Sequence, residues 1–233
     1  EGGGLYLSKS KFIVAINCKY IQNVAGNEGG GLYIWQSEHL ININCTFTAN
    51  LGTLGGGVYA SNVSKITSVG CIYYNNRAKK NGGSGYIVES NYVLYKYCIF
   101  IKNMAKLDGG GLYMDKVSKV INIYCRFEEN KAIKVGGAIR AIQSMYVENR
   151  KCLFSRNYAA SIGGGAYIES NTVLNTFCKF QYNIASGFGG AIVIGNTETV
   201  SNDKVYLISN NALITATAMT VSEATKITLI NSV

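Results

Sequence analysis

Two short runs of alternating residues recur along the chain. Residues 112–114 read Leu-Tyr-Met and residues 123–127 read Ile-Tyr-Cys-Arg-Phe. A period of two, with many β-branched and aromatic residues, is typical of short β-strands that turn one side inward. Gly, Asn, Ser and Lys fill the stretches between the runs and indicate corners. The same inward pair is found elsewhere as Leu5/Leu7, Leu32/Ile34, Val58/Ala60 and Ile192/Ile194.

Glycine-rich blocks divide the chain into copies of one unit. We expect each glycine pair to lie at a corner, where glycine supplies a positive φ or a close backbone approach. The next residue is expected to be Gly or Ala, because an inward site at a narrow corner is small. The blocks recur every 26 to 28 residues and end at Gly4, Gly31, Gly57, Gly85, Gly111, Ala138, Gly165 and Ala191, with a weaker copy at Ala218.

Three further positions keep the same step. The cysteines are Cys18, Cys45, Cys71, Cys98, Cys125, Cys152 and Cys178. An aromatic residue follows each cysteine by two positions: Tyr20, Phe47, Tyr73, Phe100, Phe127, Phe154 and Phe180. An asparagine follows by five: Asn23, Asn50, Asn76, Asn103, Asn130, Asn157 and Asn183. In the eighth copy Val205 replaces the cysteine, while Leu207 and Asn210 keep their places.

A unit of about 27 residues fits several repeat architectures. The Leu-x-x-Leu-x-Leu pattern of leucine-rich repeats is missing, and helical pairs tolerate paired glycines badly. The sequence therefore predicts an all-β fold, a parallel β-helix of about eight to nine coils that rise about 4.8 Å each. The general bias of parallel crossovers predicts a right-handed coil.

One solenoid is expected over residues 1–233, with regular coils in 1–200 and a degenerate coil in 201–233 near a cap or junction. An open coil is a long unpaired strand edge. We therefore expect a segment of a longer chain, or ends that meet other subunits.

The cysteine and the aromatic residue two positions later lie on the same side of a strand, because side chains alternate along it. Both are expected to point inward. Parallel side chains at equivalent positions make poor disulfide geometry. We therefore predict a ladder of buried free thiols that act as small hydrophobic groups. The aromatic residues are predicted to fill the core and stack on their equivalents. The asparagines are predicted to form a hydrogen-bonded amide ladder at a corner.

An outward tyrosine strip is the candidate surface for a glycan or a protein partner. Its members are Tyr6, Tyr33, Tyr59, Tyr113 and Tyr167, and Ile87, Arg140 and Val193 are expected to interrupt it. The alternative interpretation is that the tyrosines pair across coils and stabilise the surface of the sheet.

Composition and charge limit the classes of partner that this chain is expected to bind. The net charge is +9, which favours acidic partners, but the Lys and Arg residues are dispersed, which argues against nucleic acid. No run of 18 apolar residues exists, so contact with a membrane is expected only through regions outside this chain. Asn62, in Asn-Val-Ser, is a candidate N-glycosylation site at a corner. No cofactor is expected.

Catalysis by a parallel β-helix needs clustered carboxylates. The chain has only three aspartates, Asp108, Asp115 and Asp203, and the repeat places Asp203 several coils from the others. Glu89 and Glu169 are expected at equivalent positions three coils apart. His39 is the sole histidine and has no repeat equivalent. We therefore expect no catalytic residues, no metal site and no enzyme activity.

The repeated motifs resemble those of one known family. Phe127–Asn130 fits Phe-x-x-Asn, and residues 136–139 read Gly-Gly-Ala-Ile, as do residues 189–192. This pair of motifs is similar to that of the polymorphic membrane protein (Pmp) repeat family, found in β-helical passenger domains of bacterial autotransporter adhesins, and to repeats in surface proteins of some protists. The resemblance implies an extracellular or cell-surface β-helix with adhesive or scaffolding duty. It implies no binding residue, because both motifs are architectural.

The expected function is that of a non-catalytic extracellular structural or adhesive repeat protein, whose partners are other protein subunits or cell-surface glycans. A second hypothesis is a homopolymer, that is, a filament or surface layer assembled by end-to-end coil stacking. A third, less favoured, is a glycan-active enzyme of the pectate-lyase type.

Overall fold

The repeat winds into a parallel β-solenoid. The computed structural model describes residues 2–214 and 218–232, which form about eight turns of about 27 residues, with strands and no helix. This confirms the all-β solenoid predicted from the period. We number the coils from the N terminus, so that coil 1 contains Cys18 and coil 7 contains Cys178.

Three parallel sheets run along the solenoid. In the part of the chain that the structure describes, sheet A has fourteen strands: Leu5–Ser8, Phe12–Ile16, Leu32–Ile43, Val58–Val69, Gly85–Val88, Tyr92–Lys96, Leu112–Asp115, Lys119–Ile123, Ile139–Arg150, Ala166–Thr176, Ile192–Gly195, Thr197–Asp203, Met219–Val221 and Ala224–Ile230. Each strand pairs with the same repeat position of the next coil, as Leu5 does with Leu32.

Sheets B and C carry shorter strands. Over the same described residues, sheet B has eight: Lys19–Ile21, Thr46–Thr48, Ile72–Tyr74, Ile99–Ile101, Arg126–Glu128, Leu153–Ser155, Lys179–Gln181 and Tyr206–Ile208. Sheet C, counted likewise, has seven: Leu51–Gly52, Arg77–Ala78, Met104–Ala105, Lys131–Ala132, Tyr158–Ala159, Ile184–Ala185 and Asn211–Ala212. The inward position of sheet C is small: six of its strands end in alanine and one in Gly52.

Left-handed residues turn the chain between strands. The first glycine of a pair has a positive φ, as at Gly136 (69°). The second glycine is required by space, because a Cβ added at Gly137 would overlap the carbonyl oxygen of Gly164 in the next coil. The residues before each cysteine and before each ladder asparagine are also left-handed, as at Tyr124 (52°) and Glu129 (53°).

In the glycine block of coil 4, the small inward position lies one residue earlier than the sequence predicted. Gly85 pairs with Leu112, so the small position belongs to Ser84 and the block does not end at Gly85. The expectation of only Gly or Ala at this position is therefore wrong. Serine fits there because its hydroxyl donates to the carbonyl oxygen of Gly111 at 2.7 Å.

Candidate functional site

The cysteine column lies inside the solenoid. All seven thiols are free, and six are buried while Cys18 is partly exposed. Each buried thiol donates to backbone carbonyls, as Cys98 Sγ does to Ser68 O at 3.2 Å. Burial raises the pKa of the Cys125 and Cys152 thiols above the usual range. Thiols buried without access to solvent are poor nucleophiles and poor metal ligands, so this column serves the core.

The asparagines form a continuous amide ladder. Asn103 Nδ2 donates to Asn130 Oδ1 at 3.0 Å, and Asn130 Nδ2 donates to Asn157 Oδ1 at 3.0 Å. From Asn50 onward, each amide also donates to a backbone carbonyl, as from Asn130 to Phe100 O at 2.9 Å. The ladder joins Asn23, Asn50, Asn76, Asn103, Asn130, Asn157, Asn183 and Asn210.

The inward aromatic column is a face-to-face stack. Phe100, Phe127 and Phe154 lie with ring centroids 4.7 and 4.8 Å apart and planes within 7°. The spacing is that of neighbouring parallel strands, so the backbone sets the stacking distance. Tyr20, Phe47, Tyr73 and Phe180 extend the same stack.

A second amide ladder was missed in the sequence. Asn122, Asn149, Asn175 and Asn202 are buried, and the Nδ2 of each of the first three donates to the next Oδ1 at 2.8 to 2.9 Å. The signal was present, because an asparagine stands three residues before the cysteine in several copies. In coil 4 this column holds Tyr95, whose buried ring packs edge-on against Phe100.

The outward tyrosine column is longer than the sequence predicted. Tyr86 pairs with Tyr59 and Tyr113, so Ile87 does not interrupt it; Ile87 is an inward core residue. Ile87 was predicted to face outward because the block was counted from Gly85 and not from Ser84. With Tyr86 included, Tyr6, Tyr33, Tyr59, Tyr86 and Tyr113 stack with centroids 4.9 to 5.5 Å apart and planes within 9°.

Arg140 continues this stack instead of breaking it. Its guanidinium lies 5.9 Å from the ring centre of Tyr113 and 5.5 Å from that of Tyr167. Arg140 Nη1 also pairs with Asp108 Oδ2 at 2.8 Å. Val193 follows Tyr167 in register, so the stack ends in coil 7. We call Tyr6, Tyr33, Tyr59, Tyr86, Tyr113, Arg140 and Tyr167 the Tyr–Arg column.

Stacking decides which parts of the column are accessible. The faces of the inner rings cover one another, and the side chains are partly to fully buried, from 43% exposed at Tyr6 to 8% at Tyr113. Burial raises the pKa of Tyr86 and of Tyr167 to about 12, and Tyr167 also donates its hydroxyl to Glu169. A partner therefore meets ring edges and neutral hydroxyls, whereas flat stacking of a sugar on the inner rings is blocked.

Two carboxylates beside this column, Asp108 and Glu169, are each engaged singly. Asp108 pairs with Arg140 and accepts from Val135 N at 3.1 Å. The register places Ile168 in the column of Ile87, so Glu169 follows at the position of Val88 and the expected equivalence of Glu89 and Glu169 is wrong. A depression of about 340 Å³ lies beside Glu169 and is otherwise lined by Gln143, Ser144, Met145, Ser170, Asn171 and Asn196. It holds no second carboxylate for an acid–base pair.

Asn62 lies at an exposed left-handed corner (φ 53°), where its side chain faces solvent. Residues 2–214 and 218–232 contain no group of three or more metal-ligating side chains. Within those same ranges there is no helix long and apolar enough to cross a membrane. No protein-family model, no curated protein and no solved structure matches the chain.

Proposed function

We propose that this chain is a non-catalytic solenoid of the cell surface or the extracellular space, with structural and adhesive duty. The observation that carries the proposal is the Tyr–Arg column, which runs from coil 1 to coil 7 along one outward face. Tyrosine and arginine are among the residue types enriched in contact surfaces. The resemblance of the Phe-x-x-Asn and Gly-Gly-Ala-Ile motifs to Pmp-type repeats supports the same placement.

The column suits recognition because it is ordered before any partner binds. Tyrosines held by their neighbours lose little side-chain entropy on binding. Their hydroxyls follow one another at the coil spacing, about 4.8 Å, and form a linear row of donors and acceptors. Such a row fits an extended partner, either a glycan chain or an extended polypeptide.

The test is retention of the labelled chain on an array of neutral glycans, acidic glycans and extracellular-matrix proteins. The double variant Tyr59→Phe/Tyr86→Phe removes two outward hydroxyls and keeps both rings stacked. We expect it to weaken retention about 5- to 30-fold, because each lost hydrogen bond is worth about 0.5–1 kcal/mol. Tyr20→Phe is the matched control, because Tyr20 belongs to the inward stack. No retention of the parent chain on any surface would refute the adhesive function.

End-to-end assembly into a filament is the second candidate. The strands of coil 1 pair with coil 2 on one side only, so their inward side chains are less covered: Leu5 is 38% exposed, whereas its partner Leu32 is 1% exposed. Leu213 (67%) and Ile214 (73%) are similarly exposed in coil 8. Light scattering and electron microscopy over a range of concentrations test this. The variant Leu5→Lys is expected to abolish elongation, and a parent chain that stays monomeric at high concentration would exclude it.

A further inference from the structure

The residue type at the corner before the cysteine changes along the solenoid. The residue there is left-handed in every coil, with φ between 51° and 64° for coils 1–8. Coils 1–3 carry Asn17, Asn44 and Gly70, the residue types that this conformation favours. Coils 4–8 carry a different set, which we call the corner strip: Tyr97, Tyr124, Lys151, Phe177 and Lys204.

The fold does not require these side chains. A tyrosine, phenylalanine or lysine in the left-handed region is disfavoured relative to asparagine or glycine. The rings are also exposed: Tyr97 by 51%, Tyr124 by 43% and Phe177 by 44%. Exposed aromatic residues held in an unfavourable backbone conformation point to a role outside the core.

Rings and ammonium groups alternate along the strip. Tyr97 and Tyr124 stack with centroids 5.1 Å apart. Lys151 Nζ lies 5.0 Å from the Tyr124 ring centre and 5.8 Å from that of Phe177, and it donates to Tyr124 Oη at 2.8 Å. Lys204 Nζ lies 4.6 Å from the Phe177 ring centre. The order along the strip is therefore ring, ring, cation, ring, cation.

The cations of the strip are not neutralised. Across the described ranges, no carboxylate lies within ion-pair distance of Lys96, Lys151 or Lys204. Lys96 Nζ lies 5.2 Å from the Tyr97 ring centre, so it belongs to the strip in space. By contrast, the neighbouring Arg126 and Arg150 pair with glutamates of their own strands, Glu128 and Glu148. These three lysines belong to coils 4, 6 and 8, so they recur at about 10 Å, twice the strand spacing.

One ring of the strip has no strip side chain stacked on its outer face. The position below Tyr97, in coil 3, is Gly70 and contributes no side chain. A Cβ added at Gly70 would overlap the side-chain oxygen of Asn44, so the Asn44 amide lies over Gly70. The outer face of Tyr97 is therefore turned toward a glycine and an amide, and the Lys96 ammonium lies beside the same ring. An aromatic face, an amide and a cation are the groups that bind the apolar face, the hydroxyls and the acid group of a charged sugar.

We propose that the corner strip binds a linear acidic polysaccharide with one anionic group per disaccharide. The coils that carry successive lysines are about 10 Å apart, which is close to the length of an extended disaccharide. A terminal sugar stacks on the Tyr97 face that is turned toward Gly70, and the chain continues along the exposed edges of Tyr124 and Phe177. Single-stranded nucleic acid fits less well, because rings about 5 Å apart leave no space for a base between them. The inference rests on the proposed extracellular adhesion and adds a second contact surface to the Tyr–Arg column.

Calorimetry with three probes tests the proposal: hyaluronan oligosaccharides, neutral chitin oligosaccharides of the same length, and oligo(dT). We expect only hyaluronan to bind. Lys151→Gln and Lys204→Gln should each weaken that binding about 3- to 5-fold, the effect of losing one exposed ion pair. Tyr124→Asn should weaken it about 10-fold without lowering the melting temperature, because asparagine suits the left-handed corner.

Lys131→Gln is the matched control. Lys131 Nζ lies 5.3 Å from the Tyr158 ring centre, a similar cation–ring pair on sheet C. Its loss should leave hyaluronan binding unchanged. An equal loss in Lys131→Gln would overturn the proposal and assign binding to the basic residues of sheet C, and tighter binding of oligo(dT) would overturn the glycan assignment. If hyaluronan does not bind while the array still retains the chain, the strip proposal fails and the adhesive function stands.

Discussion

Replacing Asn130 by alanine removes the centre of the amide ladder. Its Oδ1 accepts from Asn103 N at 3.1 Å and from Asn103 Nδ2 at 3.0 Å. Its Nδ2 donates to Phe100 O and to Asn157 Oδ1. The substitution therefore breaks four hydrogen bonds, and all the residues involved are fully buried. Asn103 N has no other acceptor among the hydrogen bonds of the described residues, so it becomes an orphaned donor.

The expected loss in the free energy of unfolding follows from these four broken hydrogen bonds. An orphaned buried donor costs about 1–3 kcal/mol, and the remaining bonds contribute about 0.5–1.5 kcal/mol each before partial relaxation. We expect Asn130→Ala to lower the free energy of unfolding by about 3–5 kcal/mol. Asn23→Ala is the matched control, because Asn23 is at the end of the ladder, is partly exposed and donates one side-chain bond, to Asn50 Oδ1. Its expected cost is about 0.5–1 kcal/mol.

Urea unfolding followed by circular dichroism gives the global effect of both variants. Because a solenoid is coupled mainly between neighbouring coils, hydrogen exchange measured by mass spectrometry should show the loss first in coils 4–6. Equal losses in Asn130→Ala and Asn23→Ala would refute the reasoning. The asparagines would then act through their corner conformation alone and not through the buried amide ladder.

The other predictions concern the core, a glycine and the thiols. Phe127→Ala should lower the free energy of unfolding by about 3–5 kcal/mol in urea titrations, because the ring is stacked on both faces; a loss under 1 kcal/mol would contradict the stack. Gly137→Ala should destabilise by more than about 3 kcal/mol, whereas Gly26→Ala, where an added Cβ meets nothing within 4 Å, should change little; equal melting temperatures would contradict the space argument. Native protein should react with a thiol reagent at Cys18 alone, and all seven thiols should react in urea. Burial raises the folded-state pKa of Cys125, so the unfolded chain loses protons first above a pH of about 8.5 and the urea midpoint should fall from there upward. A midpoint that stays flat to pH 10 would exclude that linkage.

The inward columns could be predicted because the core imposes them. Each inward side chain touches its equivalent one strand spacing away, so Phe127 is surrounded by Phe100 and Phe154 and little else fits. That constraint repeats residue identity along the chain, where it is visible without a structure. The second amide ladder obeyed the same rule and was overlooked only because Ser68 and Tyr95 interrupt its column.

One irregular glycine block shows that the prediction of inward and outward positions depends on the residue from which they are counted. Residues 82–85 read Gly-Gly-Ser-Gly, and counting from the last glycine placed Ile87 in the outward column. The strand register and the hydrogen bond of Ser84 show that Ser84 holds the small inward position at the end of the block. Tyr86, and not Ile87, therefore lies in the outward column. A shift of one residue exchanges the inward and outward faces of a strand, so a single misplaced glycine changes the interpretation of a whole surface.

The sequence by itself determined the coil length, the parallel stacking and the inward cysteine, phenylalanine and asparagine columns, because burial constrains those positions in every copy. Only the tertiary structure decided what the outward residues present. It placed Arg140 between two tyrosines, covered the faces of the inner rings, and aligned Tyr124, Lys151 and Phe177 along one corner. Solvent-facing side chains are not held to one identity per column. Their contacts form between residues about 27 positions apart and depend on backbone register and left-handed corners that the local sequence does not specify.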